Sequence, residues 1–136
     1  MDIEKIVQDL IEEHETSNPY LLCKRLKIRI RVSNLGRVKG FFKKQRKHKY
    51  IVLNEELTEF GKLITLSHEL GHGVLHSDGY IIFMKEHFLP SINSKFEREA
   101  NIFAANLLIK NEYLGKYEPE SEEDTKLYNE LLNYIK

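Results

Sequence analysis

Between Leu57 and His76 the residues Phe60, Leu63, Ile64, Ser67, Leu70, Gly71 and Val74 recur at the period of a helix with one buried face. Set into that period is His68-Glu69-Leu70-Gly71-His72. Residues four apart lie one turn above each other on a helix, so this chain must fold with two imidazoles side by side. Two such imidazoles can both reach one ion at about 2.0–2.1 Å. Glu69 points roughly 100° around the helix, beside the ion rather than on it. There a carboxylate can take a proton from an activated water and pass it to a leaving amine. Shuffling a chain with this histidine and glutamate content gives the HExxH pattern about 0.03 times, so its occurrence carries information.

Two histidines leave a catalytic metal short of a third protein ligand, with the fourth position kept for water. Candidates stand on the next helical stretch. Phe96, Ala100, Phe103, Ala104, Leu107 and Leu108 fall at i, i+4, i+7, i+8, i+11 and i+12, the firmest helical period in the chain. Glu97 flanks this apolar stripe and is expected to face the neighbouring helix as the third ligand. Asn101, one turn further on the same side, is placed to orient a ligand imidazole from behind. Glu99 is expected to point elsewhere, into solvent. His76 repeats the four-residue spacing after His72, but positions 68, 72 and 76 rise about 12 Å along a straight helix, too far to share one ion. It reads as a structural or cleft-edge residue.

The remaining segments predict an α+β fold. Ile3, Ile6, Val7, Leu10 and Ile11 mark an amphipathic helix over about residues 2–15. Ser17-Asn18-Pro19 starts a second helix that turns Leu21, Leu22 and Leu26 inward, with Cys23 packed as a small apolar residue. Three strands follow, at Ile28–Val32, Gly40–Lys43 and Tyr50–Leu53, and a small antiparallel meander is the natural arrangement. The basic turn Lys44 to Lys49 separates the last two. Ser77-Asp78-Gly79 ends the HExxH helix, and the stretch from Tyr80 to Ser94, containing Pro90, reads as a loop. The acidic run from Glu118 to Asp124 breaks the chain before a final helix through Leu127, Leu131, Leu132 and Ile135.

With 136 residues, 41% hydrophobic and 31% charged, the expected organisation is one domain over residues 1–136. A formal net charge of zero gives the whole chain no bias toward nucleic acid or membranes. One cysteine excludes an internal disulfide framework and fits a reducing compartment. The acidic N-terminus has no apolar core of a signal peptide, and no run reaches the roughly 20 apolar residues of a bilayer span. The expected location is the cytoplasm. The basic turn reads as a solvated hairpin tip, so direct nucleic-acid binding is not expected.

His68-Glu69-Leu70-Gly71-His72, followed by the run from Glu97 to Leu108, resembles the ImmA/IrrE metallopeptidases, whose motifs usually read HExGH and ExEAxxFAxxLLMP. The preceding helices and small sheet also resemble that family's order. The resemblance implies a zincin-like core of the gluzincin type, a Zn2+ cofactor, Glu97 as third ligand and Asn101 behind it. It also implies a protein substrate, a helix-turn-helix repressor encoded separately in a phage, mobile element or stress locus. Where the family has LLMP this chain has Leu107-Leu108-Ile109-Lys110, without the helix-stopping proline. A peptide is expected to lie along the sheet edge, with Tyr80 and His87 considered as oxyanion donors. The rival expectation is a metal-binding module that sequesters a repressor without cutting it.

Overall fold

The computed structural model describes residues 1–76 and 90–135, with the backbone alone for 90–94. Helix α1 (Ile3–His14) begins where the Asp2 side chain accepts the Lys5 N–H at 3.1 Å. Asn18, with Pro19 in the first turn, caps α2 (Pro19–Arg25) by accepting the Tyr20 N–H. Three strands follow, β1 (Ile28–Ser33), β2 (Gly40–Gln45) and β3 (His48–Asn54), then the long helix α3 (Glu59–Leu75). Helix α4 (Pro90–Ala105) widens into one π-helical turn, Asn106–Lys110, and α5 (Glu122–Leu132) follows. Among the described residues no helix is long and apolar enough to cross a membrane.

The sheet corrects the expected antiparallel meander. Its order is β1-β3-β2, with β1 parallel to β3 and β2 antiparallel to it. Two features of the chain explain this. Tyr50-Ile51-Val52-Leu53 is the most apolar strand and takes the centre, while β1, with Arg29 and Arg31 exposed, sits at an edge. The link over residues 34–39 is also long enough to cross the end of β3 instead of forming a tight hairpin. Asn54 fastens that crossover, donating from Nδ2 to the Gly36 and Val38 carbonyls, both at 2.9 Å.

Helix α3 lies across one face of the sheet and separates two apolar groups. On its sheet side Leu66 and Leu70 pack with Phe42, Ile51, Leu53, Leu22 and Cys23, and with Phe103 and Leu107 of the α4 segment. On its other side Phe60, Leu63 and Ile64 meet Ala104, Leu108, Leu114 and Leu131. Cys23 is fully buried, as its reading as a small core residue requires, and burial pushes its thiol up to about 12.

Two further expectations need adjusting. Pro90, read as part of a loop extending to Ser94, instead stands at the first position of α4, where its missing N–H costs no helical bond. Most of the acidic run forms the cap and first turn of α5, where Glu122, Glu123 and Asp124 complement the helix dipole. Tyr80 and His87 lie outside the described residues.

Candidate metal centre

The site is built where α4 crosses α3, and Gly71 makes that approach possible. A Cβ on Gly71 would stand 3.1 Å from Phe103 Cβ and 3.2 Å from the Ala100 backbone. With no side chain at position 71, α4 comes close enough for a residue one turn before Ala100 to reach both imidazoles. Gly73 plays the matching part toward the sheet, since its Cβ would meet the Phe42 ring at 2.8 Å.

Glu97 is the residue so placed. Its Oε1 accepts from His68 Nε2 at 2.8 Å and its Oε2 from His72 Nε2 at 2.7 Å. The ligand atoms of His68, His72 and Glu97 all lie within 4.8 Å of one another, a group able to hold a metal ion. Each imidazole is also held from behind. His68 Nδ1 donates to Asn101 Oδ1 at 2.8 Å. His72 Nδ1 lies 3.0 Å from His76 Nδ1, and His76 Nε2 donates to Glu99 Oε1 at 2.8 Å. Both rings are thereby oriented with Nε2 toward a common point.

The structure thus brings together all four expected α3 and α4 residues around one point, with Glu69 beside them. It corrects the expectation for Glu99, whose carboxylate is only 13% exposed and pairs with His76. His76 is buried and stacks on the Phe96 ring at 4.2 Å between centroids. One signal in the sequence pointed this way: His76 continues the His68–His72 face by one turn, and a buried imidazole needs a partner for each nitrogen.

The protons of the site sit on its imidazoles. Burial by itself lowers the His68 pKa, but the Glu97 hydrogen bond and the charges of Glu69 and Glu97, with Asn101, raise it to about 9. Burial lowers His72 to about 4 against the opposing pull of Glu97, and the neighbouring His68 adds to the lowering. Burial alone would raise Glu97, yet the two imidazole hydrogen bonds hold it far below the carboxylate range. One ionised carboxylate therefore accepts from two Nε2–H groups, one on a His68 that carries the extra proton and one on a neutral His72. A divalent cation can replace those protons at the same point, and the two-nitrogen, one-carboxylate donor set fits such an ion. With His72 Nε2 given to a cation, its Nδ1–H donates to His76 Nδ1, and the His76 Nε2–H continues to Glu99.

Burial pushes Glu69 up to about 8; His68 opposes this, Glu97 adds to it, and a hydrogen bond from the Phe42 main chain lowers it again. Glu69 is 4% exposed and lines a cleft of about 290 Å³ together with His68, Glu97 and Asn101. Arg37, Val38, Lys39 and Gly40 form the sheet-side wall, and Leu127 and Glu130 of α5 stand among the other lining residues.

A helix-borne HExxH pair, a carboxylate from the next helix and a buried glutamate facing a cleft define a metallopeptidase-type centre. Residues 23–135 match the IrrE N-terminal-like domain family, peptidase M78, and the chain belongs to it. It is 40% identical over 116 residues to an uncharacterized immunity region protein of Bacillus phage phi105, covering 85% of this chain and 73% of that protein. It is 30% identical over 115 residues to Metallopeptidase ImmA of Bacillus subtilis, covering 83% of this chain and 66% of that one.

Proposed function

We propose that this chain is a zinc-dependent endopeptidase of the gluzincin type, acting in the cytoplasm on a separately encoded helix-turn-helix repressor of a phage or mobile element. One observation carries the reading: both HExxH imidazoles turn Nε2 to Glu97 while buried Glu69 faces the cleft beside them. The likeness to a phage immunity-region protein and to a protein named as a metallopeptidase supports it. His68, His72 and Glu97 are the proposed zinc ligands, Asn101 the residue that orients His68, and Glu69 the general base.

When bound, zinc supplies Lewis-acid polarisation of the scissile carbonyl and lowers the pKa of water. Glu69 takes the proton of the attacking water. It then gives that proton to the leaving amine. The substrate lies extended along the outer edge of β2, which is unpaired among the described residues. Asn54 N–H donates to the Lys39 carbonyl at 2.8 Å, so alternation turns the main chain of Lys39, Phe41 and Lys43 toward β3. The main-chain groups of Gly40 and Lys44 and the Phe42 carbonyl then face that edge, where a peptide strand can pair with them; the Phe42 N–H is already given to Glu69.

The test is incubation of zinc-loaded protein with the repressors encoded beside it, followed by mass spectrometry. Zinc-dependent fragments are expected. Glu69→Gln should slow their appearance by about 10²–10⁴-fold while zinc stays bound. A stable complex with an intact repressor would overturn hydrolysis in favour of sequestration.

A further inference from the structure

The chain is neutral overall but strongly divided. Twelve of its 21 Lys and Arg residues lie within residues 24–49, a stretch with no Asp or Glu. That stretch contains β1, β2, the crossover and the hairpin. All 21 acidic residues lie outside it. The sheet is therefore a basic body attached to an acidic helical layer. This basic stretch also borders the cleft, because Arg37 and Lys39 line the same wall as Gly40.

Strand pleating orders this charge along the edge. Phe42 is buried against α3, so Phe41 and Lys43, its neighbours, turn to the face away from the helices. Lys39 shares their parity and is exposed. The outer row along this edge of β2 thus reads Lys39, Phe41, Lys43. A strand added at that edge sets its own outward side chains opposite this row, one at every second residue.

We propose that the β2 edge beside the cleft selects an extended protein segment that carries acidic outward side chains at positions i and i+4. The acidic residues lie against Lys39 and Lys43, the two cations of the outer row. The surrounding basic sheet draws the segment in over longer range. The inference rests on the peptidase reading only for cleavage of that segment; its docking is independent. A nucleic acid has the complementary charge, but its backbone lacks N–H donors to pair with the edge carbonyls of Gly40 and Phe42. A peptide has them at every second residue.

Binding is measured by fluorescence anisotropy on zinc-loaded Glu69→Gln protein, with wild-type protein in parallel for cleavage. The probes are a labelled ten-residue peptide with Glu, Leu and Glu at alternate positions, the same peptide with Lys for both Glu, and labelled 20-nucleotide single-stranded and duplex DNA. The glutamate peptide is expected to bind about tenfold tighter than the lysine peptide in low salt. That preference should shrink at high salt. The double substitution Lys39→Glu with Lys43→Glu should reverse the preference, whereas Lys5→Glu, on α1, should leave it alone.

Equal binding of the two peptides, or a preference untouched by the double substitution, would overturn the proposal. So would DNA binding that the double substitution abolishes while neither peptide binds. If the glutamate peptide docks as expected and wild-type protein cuts no peptide, docking stands and the hydrolytic reading falls. If wild-type protein cuts a random peptide pool with no acidic pair at i and i+4 around the cleavage points, hydrolysis stands and this inference falls.

Discussion

At the start of α3 the buried Asp124 carboxylate accepts from Thr58 Oγ1 at 2.9 and 2.8 Å and from the Glu120 N–H at 2.8 Å. Thr58 in turn caps the helix by accepting the Gly61 N–H. Against the second half of the same helix the Glu97 carboxylate of α4 also accepts through both oxygens, but from imidazoles. A hydroxyl and an amide cannot exchange their hydrogen for a cation at neutral pH; an imidazole can. Both clusters satisfy their polar atoms, so satisfaction alone does not mark function. The identity of the donors does. The cap end is closed by the protein, and the site end is closed only provisionally, by imidazole N–H groups standing where a cation fits.

The largest expected effect is at the site end. Glu97→Ala should reduce zinc affinity by more than the 10–100-fold, roughly, that loss of a supporting residue such as Asn101 brings. Competition with a chelating dye measures both variants. Undiminished affinity in Glu97→Ala would mean another donor closes the site, and the contrast with Asp124 would dissolve. Next, Asp124→Ala should lower folding stability by about 2–3 kcal/mol, since it strands the Thr58 hydroxyl and the Glu120 N–H near the buried cap. Urea denaturation of the zinc-free protein reads that loss, and zinc affinity should not change. A parallel fall in affinity would show that α3 couples its two ends.

The two ends also differed in how far they could be read from the sequence. His68, Glu69 and His72 were legible because a helix fixes the geometry of residues four apart without reference to anything else. Glu97 and Asn101 needed one further step, the apolar stripe from Phe96 to Leu108 that turns them toward a neighbour, together with the family resemblance. Glu99 was misread because its place depends on how α4 crosses α3, which no spacing within either helix encodes. The Thr58–Asp124 pair went unseen for the same reason: its members are 66 positions apart. Strand positions followed from alternation, but their order did not. A meander and the observed β1-β3-β2 sheet bury the same side chains, and the choice rests on the six-residue crossover that Asn54 holds.

Smaller effects sharpen the contrast. His68 carries a proton up to about pH 9, and a cation must displace it. Zinc affinity should therefore rise about tenfold per pH unit between pH 6 and 8 and level off above pH 9. Dye competition in a buffer series checks this, and a flat profile would mean that no site proton is exchanged. Glu99→Gln keeps the shape but not the charge of the outermost member, two hydrogen bonds from the proposed ion. It should weaken zinc binding by about tenfold, the low end of what supporting residues contribute.

The smallest expected effect lies midway between the two clusters. Ser67 is fully buried in α3, one residue before His68, and its hydroxyl donates to the Leu63 carbonyl at 3.0 Å. That carbonyl belongs to the preceding turn and already has the helix's own N–H as a partner. The hydroxyl is therefore satisfied locally and supports neither cluster; such back-bonding gives a helix little or nothing. Ser67→Ala removes donor and oxygen together and leaves no partner stranded. Folding stability should stay within about 0.5 kcal/mol of the parent, and zinc affinity within twofold, roughly. A large loss of affinity would place Ser67 among the groups that position His68, and the site would then extend along the helix rather than across it.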